Sequence, residues 1–178
     1  MLELSSNNVK VLGIFGRLSS EQEAYFDELE KKYSSKPDKS LGYDIFRHLT
    51  LTFEPNAPVS SIRTHLNLLR DLKPYLPVKL NIEKVFVKDE ESMEGAEHIA
   101  VEFGLGQTKQ LVGFIKDKVG DSSVVTWYTK VVWFVPKENQ QKVIDKLSDL
   151  KTIEFTDFYL VANKQNDDNT IFKTSDFR

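Results

Sequence analysis

Two stretches of this chain carry the same unusual pattern: a strand closed by proline, a helix closed by Asp-Leu-Lys, and a strand whose apolar rhythm slips by one residue. The first runs from the strand ending at Phe53, before Pro55, through Asp71-Leu72-Lys73 to Leu80 and Ile82, then Val85 and Val87. The second runs from Val135, before Pro136, through Asp149-Leu150-Lys151 to Ile153 and Phe155, then Phe158 and Leu160. Apolar residues two apart mark a half-buried strand, and a three-residue step inside that rhythm predicts a β-bulge. An internal repeat of this kind, about 47–105 and 128–175, gives the chain two halves with the same order of strand, helix and bulged strand. With 178 residues and 40% hydrophobic content, both halves belong to one domain, 1–178.

The remaining elements alternate. Val9 to Phe15 reads as a strand, and Ser19 or Ser20 caps a helix through Tyr33, with Tyr25, Phe26, Leu29 and Tyr33 on one face. A polar loop around Pro37 precedes the strand from His48 to Phe53. The helix from Ser60 to Lys73 buries Ile62, Leu66, Leu69 and Leu72, with His65 at the border of that face and without a functional role. After the strand Val78 to Val87, the acidic run Asp89 to Glu94 reads as a solvated hairpin loop into the strand His98 to Leu105. Leu111, Val112, Ile115 and Val119 give a helix ended by Gly120, followed by a strand from Tyr128 to Val135. A helix buries Val143, Leu147 and Leu150, Ile153 to Ala162 is extended, and Asn166 to Asn169 turns into a last short strand.

Within this frame, His48-Leu49-Thr50-Leu51-Thr52-Phe53 is the chemically suggestive strand. Alternation predicts Leu49, Leu51 and Phe53 in the core and His48, Thr50 and Thr52 on the open face. An imidazole exchanges protons near neutral pH, and a hydroxyl two residues away can donate to an anionic oxygen. Such a pair suits phosphoester chemistry when a second pair stands opposite it.

In these residues the chain resembles the two-histidine phosphoesterases, the LigT-like or 2′-5′ RNA ligase-like proteins. The resemblance covers nearly the whole length: the opening strand and helix, Arg47 to Phe53 as a first H-x-T-x motif, and Phe155-Thr156-Asp157-Phe158-Tyr159-Leu160-Val161 before a final hairpin. It implies an α+β fold with two pseudosymmetric lobes of antiparallel sheet, backed by helices around a central cleft. It implies action on 2′,3′-cyclic phosphates or 2′-5′ linkages, one histidine acting as base, the other as acid, and the threonines holding the phosphate. By the resemblance, His48 is the first catalytic residue and Thr50 its phosphate ligand.

The second motif is expected on the strand Thr129-Lys130-Val131-Val132-Trp133, which has no histidine. Aligned on alternation, Lys130 and Val132 take the two positions. Aligned on the prolines, Thr129 and Val131 do. General acid-base assistance contributes about 10²- to 10⁴-fold per group, so the expected catalysis is weak or absent. Lys130, Tyr128, Thr129 and His98 are the substitutes to weigh, as proton donors or phosphate ligands. His98 opens a near-copy of the motif with alanine for threonine, but a neighbouring strand only ~4.8 Å away would place both imidazoles on one side of the phosphate. The competing expectation is a non-enzymatic nucleotide-, RNA- or protein-binding member of the same fold.

Composition narrows the partners. A net charge of −3 and a pI near 5.7 argue against a sequence-independent nucleic-acid coat or a DNA duplex partner. The ligand expected is a small nucleotide or an RNA 2′ or 3′ end. Cysteine is absent, which removes disulfides, thiol nucleophiles and thiolate metal sites. No spacing of ligands suggests a metal, and no glycine-rich phosphate loop suggests a nucleotide cofactor, so neither is expected. Trp127 and Trp133 could each stack on a base or pack in the core. Without an apolar leader or a span of ~20 apolar residues, a soluble, cytoplasmic monomer that does not enter a membrane is expected.

Overall fold

The computed structural model of the chain describes residues 8–35, 47–88, 97–104, 106–163 and 169–173. The loop around Pro37, the acidic loop from Asp89 to Glu94, Leu105 and the start of the last turn therefore lie outside the described residues. In chain order the elements are β1 (Asn8–Leu18), α1 (Ser20–Tyr33), β2 (His48–Pro58), α2 (Ser61–Leu72), β3 (Val78–Lys88), β4 (His98–Phe103), α3 (Lys109–Val119), β5 (Tyr128–Val132), α4 (Lys137–Leu147), β6 (Thr152–Asn163) and β7 (Asn169–Lys173). The local signals explain the helix ends. The Ser19 hydroxyl accepts from the Gln22 amide at the start of α1, and Gly120 ends α3 at φ 55°, a conformation that favours glycine. Among the described residues no helix is long and apolar enough to cross a membrane.

All named ladders are antiparallel, in the order β2-β1-β6-β3-β4-β5, with β7 also on β6. The sequence β-α-β-α-β thus runs twice, β4 opening the second run, and the last strand of each run lies in the middle of the sheet. There β3 pairs with β6 over Val78–Asn81, then turns to β4 from Ile82 onward. That change of partner divides the sheet into two lobes. The register slips at Glu83 in β3 and at Thr156 in β6, inside the three-residue steps that the apolar rhythm marks. Buried side chains from both lobes form one continuous core, in which Phe103 of β4 meets Phe155 of β6 edge to face at 6.1 Å.

Two strands depart from their predicted form. A third bulge, at Leu51 opposite Ile14 and Phe15, reverses the phase of β2. Thr52 consequently turns inward, where its hydroxyl accepts from the Ile14 amide at 2.9 Å, and Phe53 turns outward. β2 also continues through Pro55 and Pro58, because beyond Thr52 it is a sheet edge where a missing N–H leaves no ladder bond unmade. β5 ends at Val132, since Phe134 takes a positive φ of 53° that ends the strand.

His65 is buried on α2 with only 2% exposure, its Nδ1 bonded to the Ser61 carbonyl at 3.0 Å. Burial dominates and lowers its pKa, against the opposing effects of the Ser61 hydrogen bond and Glu54. The unfolded chain therefore takes up this proton first as pH falls. The contribution of His65 is complete above about pH 6.5 and is lost as pH drops below that value. His65→Leu should flatten the decline in urea midpoint between pH 7 and pH 5. An unchanged decline would assign the acid sensitivity to other groups.

Candidate functional site

The site begins with a buried cation. Arg47, immediately before β2, is fully buried, and its Nε donates to the Val131 carbonyl of β5 at 2.6 Å. One terminal nitrogen meets Glu23 and Asp27 of α1 at 2.6 and 2.8 Å, and the other lies 2.8 Å from Glu30. Burial opposes the charge, but the three carboxylates outweigh it, Glu30 foremost, and hold its pKa above the usual arginine value. The guanidinium also lies over the Phe26 and Trp133 rings at 5.6 and 5.5 Å. Glu30 in turn accepts from the Trp133 amide. Arg47 thus ties α1, β2 and β5 together, and its charge is committed to structure.

This tie brings the outer strands of the two lobes together. The Thr129 hydroxyl donates to the His48 carbonyl, the Thr126 amide to the Thr50 carbonyl at 3.0 Å, and the Val124 amide to the Leu51 carbonyl at 3.0 Å. The Thr50 amide donates back to the Thr126 hydroxyl at 3.3 Å. Between the strands lies a cavity of about 130 Å³ lined by His48 and Thr50 on one side and Thr126, Tyr128 and Lys130 on the other, with Arg47 and Trp133 completing it. The Phe15 ring stands edge-on to the His48 imidazole at 4.8 Å. Arg17, the cross-strand neighbour of His48, donates to the Tyr159 hydroxyl at 3.1 Å.

Four of the six sequence-predicted residues, His48, Thr50, Tyr128 and Lys130, therefore share one cavity. The other two do not. Thr129 is buried on the opposite face of β5 and its hydroxyl donates to the His48 carbonyl, so it holds the strand and does not line the cavity. His98 is 5% exposed, covered edge-on by Phe134, and its Nδ1 accepts from the Phe134 amide at 3.3 Å. Val132 is fully buried. The open face of β5 is thus Tyr128 with Lys130, and neither sequence alignment of the second motif paired these two. Trp133 is buried while Trp127 is half exposed.

Thr126 and the linking role of Arg47 escaped the sequence reading. For Arg47 a signal was present: Glu23, Asp27 and Glu30 recur at i, i+4 and i+7 on the side of α1 that also carries buried Phe26. Carboxylates on a buried helix face require a cation. Among the described residues no cluster of His, Cys, Asp or Glu could hold a metal ion. Chemically, the cavity offers an imidazole for proton transfer, three hydroxyls as donors and an ammonium, a set that suits a phosphate.

No protein-family model matches this chain, and no curated protein does. Two solved structures of Usb1 from Kluyveromyces marxianus resemble it. The one with uridine monophosphate is 13% identical, covers 96% of this chain and 99% of its own, and superposes with a TM-score of 0.53. The other is 10% identical, covers 93% and 98%, and has a TM-score of 0.54. At these identities the likeness is one of fold alone, a mixed α+β architecture built on antiparallel sheet.

Proposed function

We propose that this protein belongs with the two-histidine phosphoesterases in function as well as fold. In this reading it holds the phosphate of a nucleotide or RNA end between His48 and Thr50 of β2 and Tyr128 and Lys130 of β5. The observation that carries the reading is the convergence of those four side chains on one small cavity from opposite lobes. Usb1 with uridine monophosphate makes a uridylate the natural first ligand to try. His48 serves as acid or base and Thr50 donates to a phosphate oxygen. Lys130 supplies the balancing charge. Because β5 offers a phenol and an ammonium where the fold's second imidazole is expected, binding outlasts turnover. The cavity lining gives the leaving oxygen no second imidazole as proton donor.

Titration with 2′,3′-cyclic uridylate and uridine monophosphate tests this. Saturable binding at or below millimolar concentration is expected, with sulfate as a competitor and with affinity falling as salt rises. Lys130→Ala should weaken it about 10-fold or more, the usual scale for a hydrogen bond to a charged group. Absence of saturable binding by folded protein would overturn the reading in favour of a protein-binding role for the fold.

A further inference from the structure

A cavity of about 130 Å³ is small beside the ~300–1,000 Å³ of pockets that enclose a whole small ligand. It can seat a phosphate, and the rest of a nucleotide lies outside it. The outer face of β3, β4 and β5 continues directly from it. Directly paired residues of neighbouring antiparallel strands share a face. Lys84 pairs with Glu102, which pairs with Tyr128; Phe86 pairs with Ala100, which pairs with Lys130; Lys88 follows on β3. The open face beside the cavity therefore carries Lys84, Phe86, Lys88, Tyr128 and Lys130, with Glu102 as its carboxylate.

The rings and cations on this face are in contact. Phe86 meets Tyr128 edge to face at 6.1 Å, across Ala100, whose small side chain leaves room for both. The Lys84 ammonium lies 5.7 Å from the Phe86 ring and the Lys88 ammonium 5.7 Å from the Tyr128 ring. Trp127, half exposed, adds a third ring 6.3 Å from Tyr128. Alternating rings and ammonium groups beside a phosphate cavity are the chemistry that receives single-stranded nucleic acid, bases on the rings and phosphates on the lysines. Glu102 opposes Lys84 in the same row, so the phosphate path favours the Lys88 and Lys130 side of the rings.

We propose that Phe86, with Lys84 and Lys88, forms a second nucleotide subsite. It takes the nucleotide adjoining the one whose phosphate sits at His48, so the ligand is the end of a single-stranded oligonucleotide and not a lone nucleotide. The proposal rests on the phosphate reading of the cavity and adds the substrate's length to it.

The test compares 3′-phosphorylated uridylate monomer, dimer and tetramer on the full chain. The dimer should bind about 5- to 100-fold more tightly than the monomer, the range for stacking one base on an aromatic side chain. Phe86→Ala should remove that gain, Phe86→Tyr should restore it, and Lys84→Ala should reduce it while leaving monomer affinity within about twofold. Lys84→Ala with Lys88→Ala should also make the dimer's affinity less dependent on salt. Lys84 is exposed, so its variant reports even if Phe86→Ala fails to fold. Equal affinity for monomer and dimer would overturn the second subsite and leave the phosphate cavity standing. Binding of neither would overturn both.

Discussion

Converting Tyr128 to His together with Lys130 to Thr is expected to raise turnover of saturating 2′,3′-cyclic uridylate by about 10²- to 10⁴-fold, the contribution of one positioned acid-base group, while loss of the Lys130 ammonium weakens binding. The expectation follows from how the cavity is built. β2 and β5 are held against each other by the Thr129 hydroxyl on the His48 carbonyl and by Arg47 on the Val131 carbonyl, and neither contact involves the two substituted side chains. The new imidazole would enter from the lobe opposite His48, with a hydroxyl two residues along as in β2. The supporting frame, whose absence is the usual obstacle to installing a site, is already in place. Adding His48→Ala to this double variant should return activity to the starting level. An alternative conversion, Lys130→His with Val132→Thr, follows from sequence alternation alone but places a hydroxyl at a fully buried position. A double variant that folds and binds ligand without gaining turnover would show that the open face of β5 does not present groups to the reacting phosphate.

Loss of Arg47 should be the most destabilising change near the site. Arg47→Ala is expected to cost about 3–5 kcal/mol in denaturant unfolding, the range for removing one partner of a buried ion pair. The reason is less the attraction lost than the charge left behind. The Glu30 side chain is 5% exposed and that of Glu23 14%, and without the guanidinium both carboxylates lose their buried counter-charge. Arg47→Lys should recover only part, because an ammonium cannot match a planar group that meets Val131, Glu23, Asp27 and Glu30 at once. A loss below about 1 kcal/mol would mean that the cluster behaves as an exposed one.

Much of the fold was legible where periodicity is long and regular. The apolar slips at Ile82 to Val85 and Phe155 to Phe158 mark bulges because each strand continues for several residues on both sides. The first motif strand was legible only as far as Leu51. Its bulge at Leu51 depends on the register with β1, a contact some 38 residues away in sequence, so the inward turn of Thr52 leaves no local trace. β5 is short, and Val131 and Val132 are adjacent apolar residues, which destroys the alternation that would have identified Tyr128 with Lys130. His98 is hidden for a different reason. Alternation places it on the open face, but Phe134, held at positive φ, lies over it.

In the proposed function one phosphate sits between β2 and β5. Titration of isotope-labelled protein with uridine monophosphate, followed residue by residue in NMR spectra, locates that phosphate. Saturable shifts are expected at the His48 imidazole, the Thr50 and Thr126 amides and the Lys130 side chain, with the same half-point for all four. Saturable binding whose shifts cluster elsewhere and leave His48 and Lys130 unmoved would contradict it.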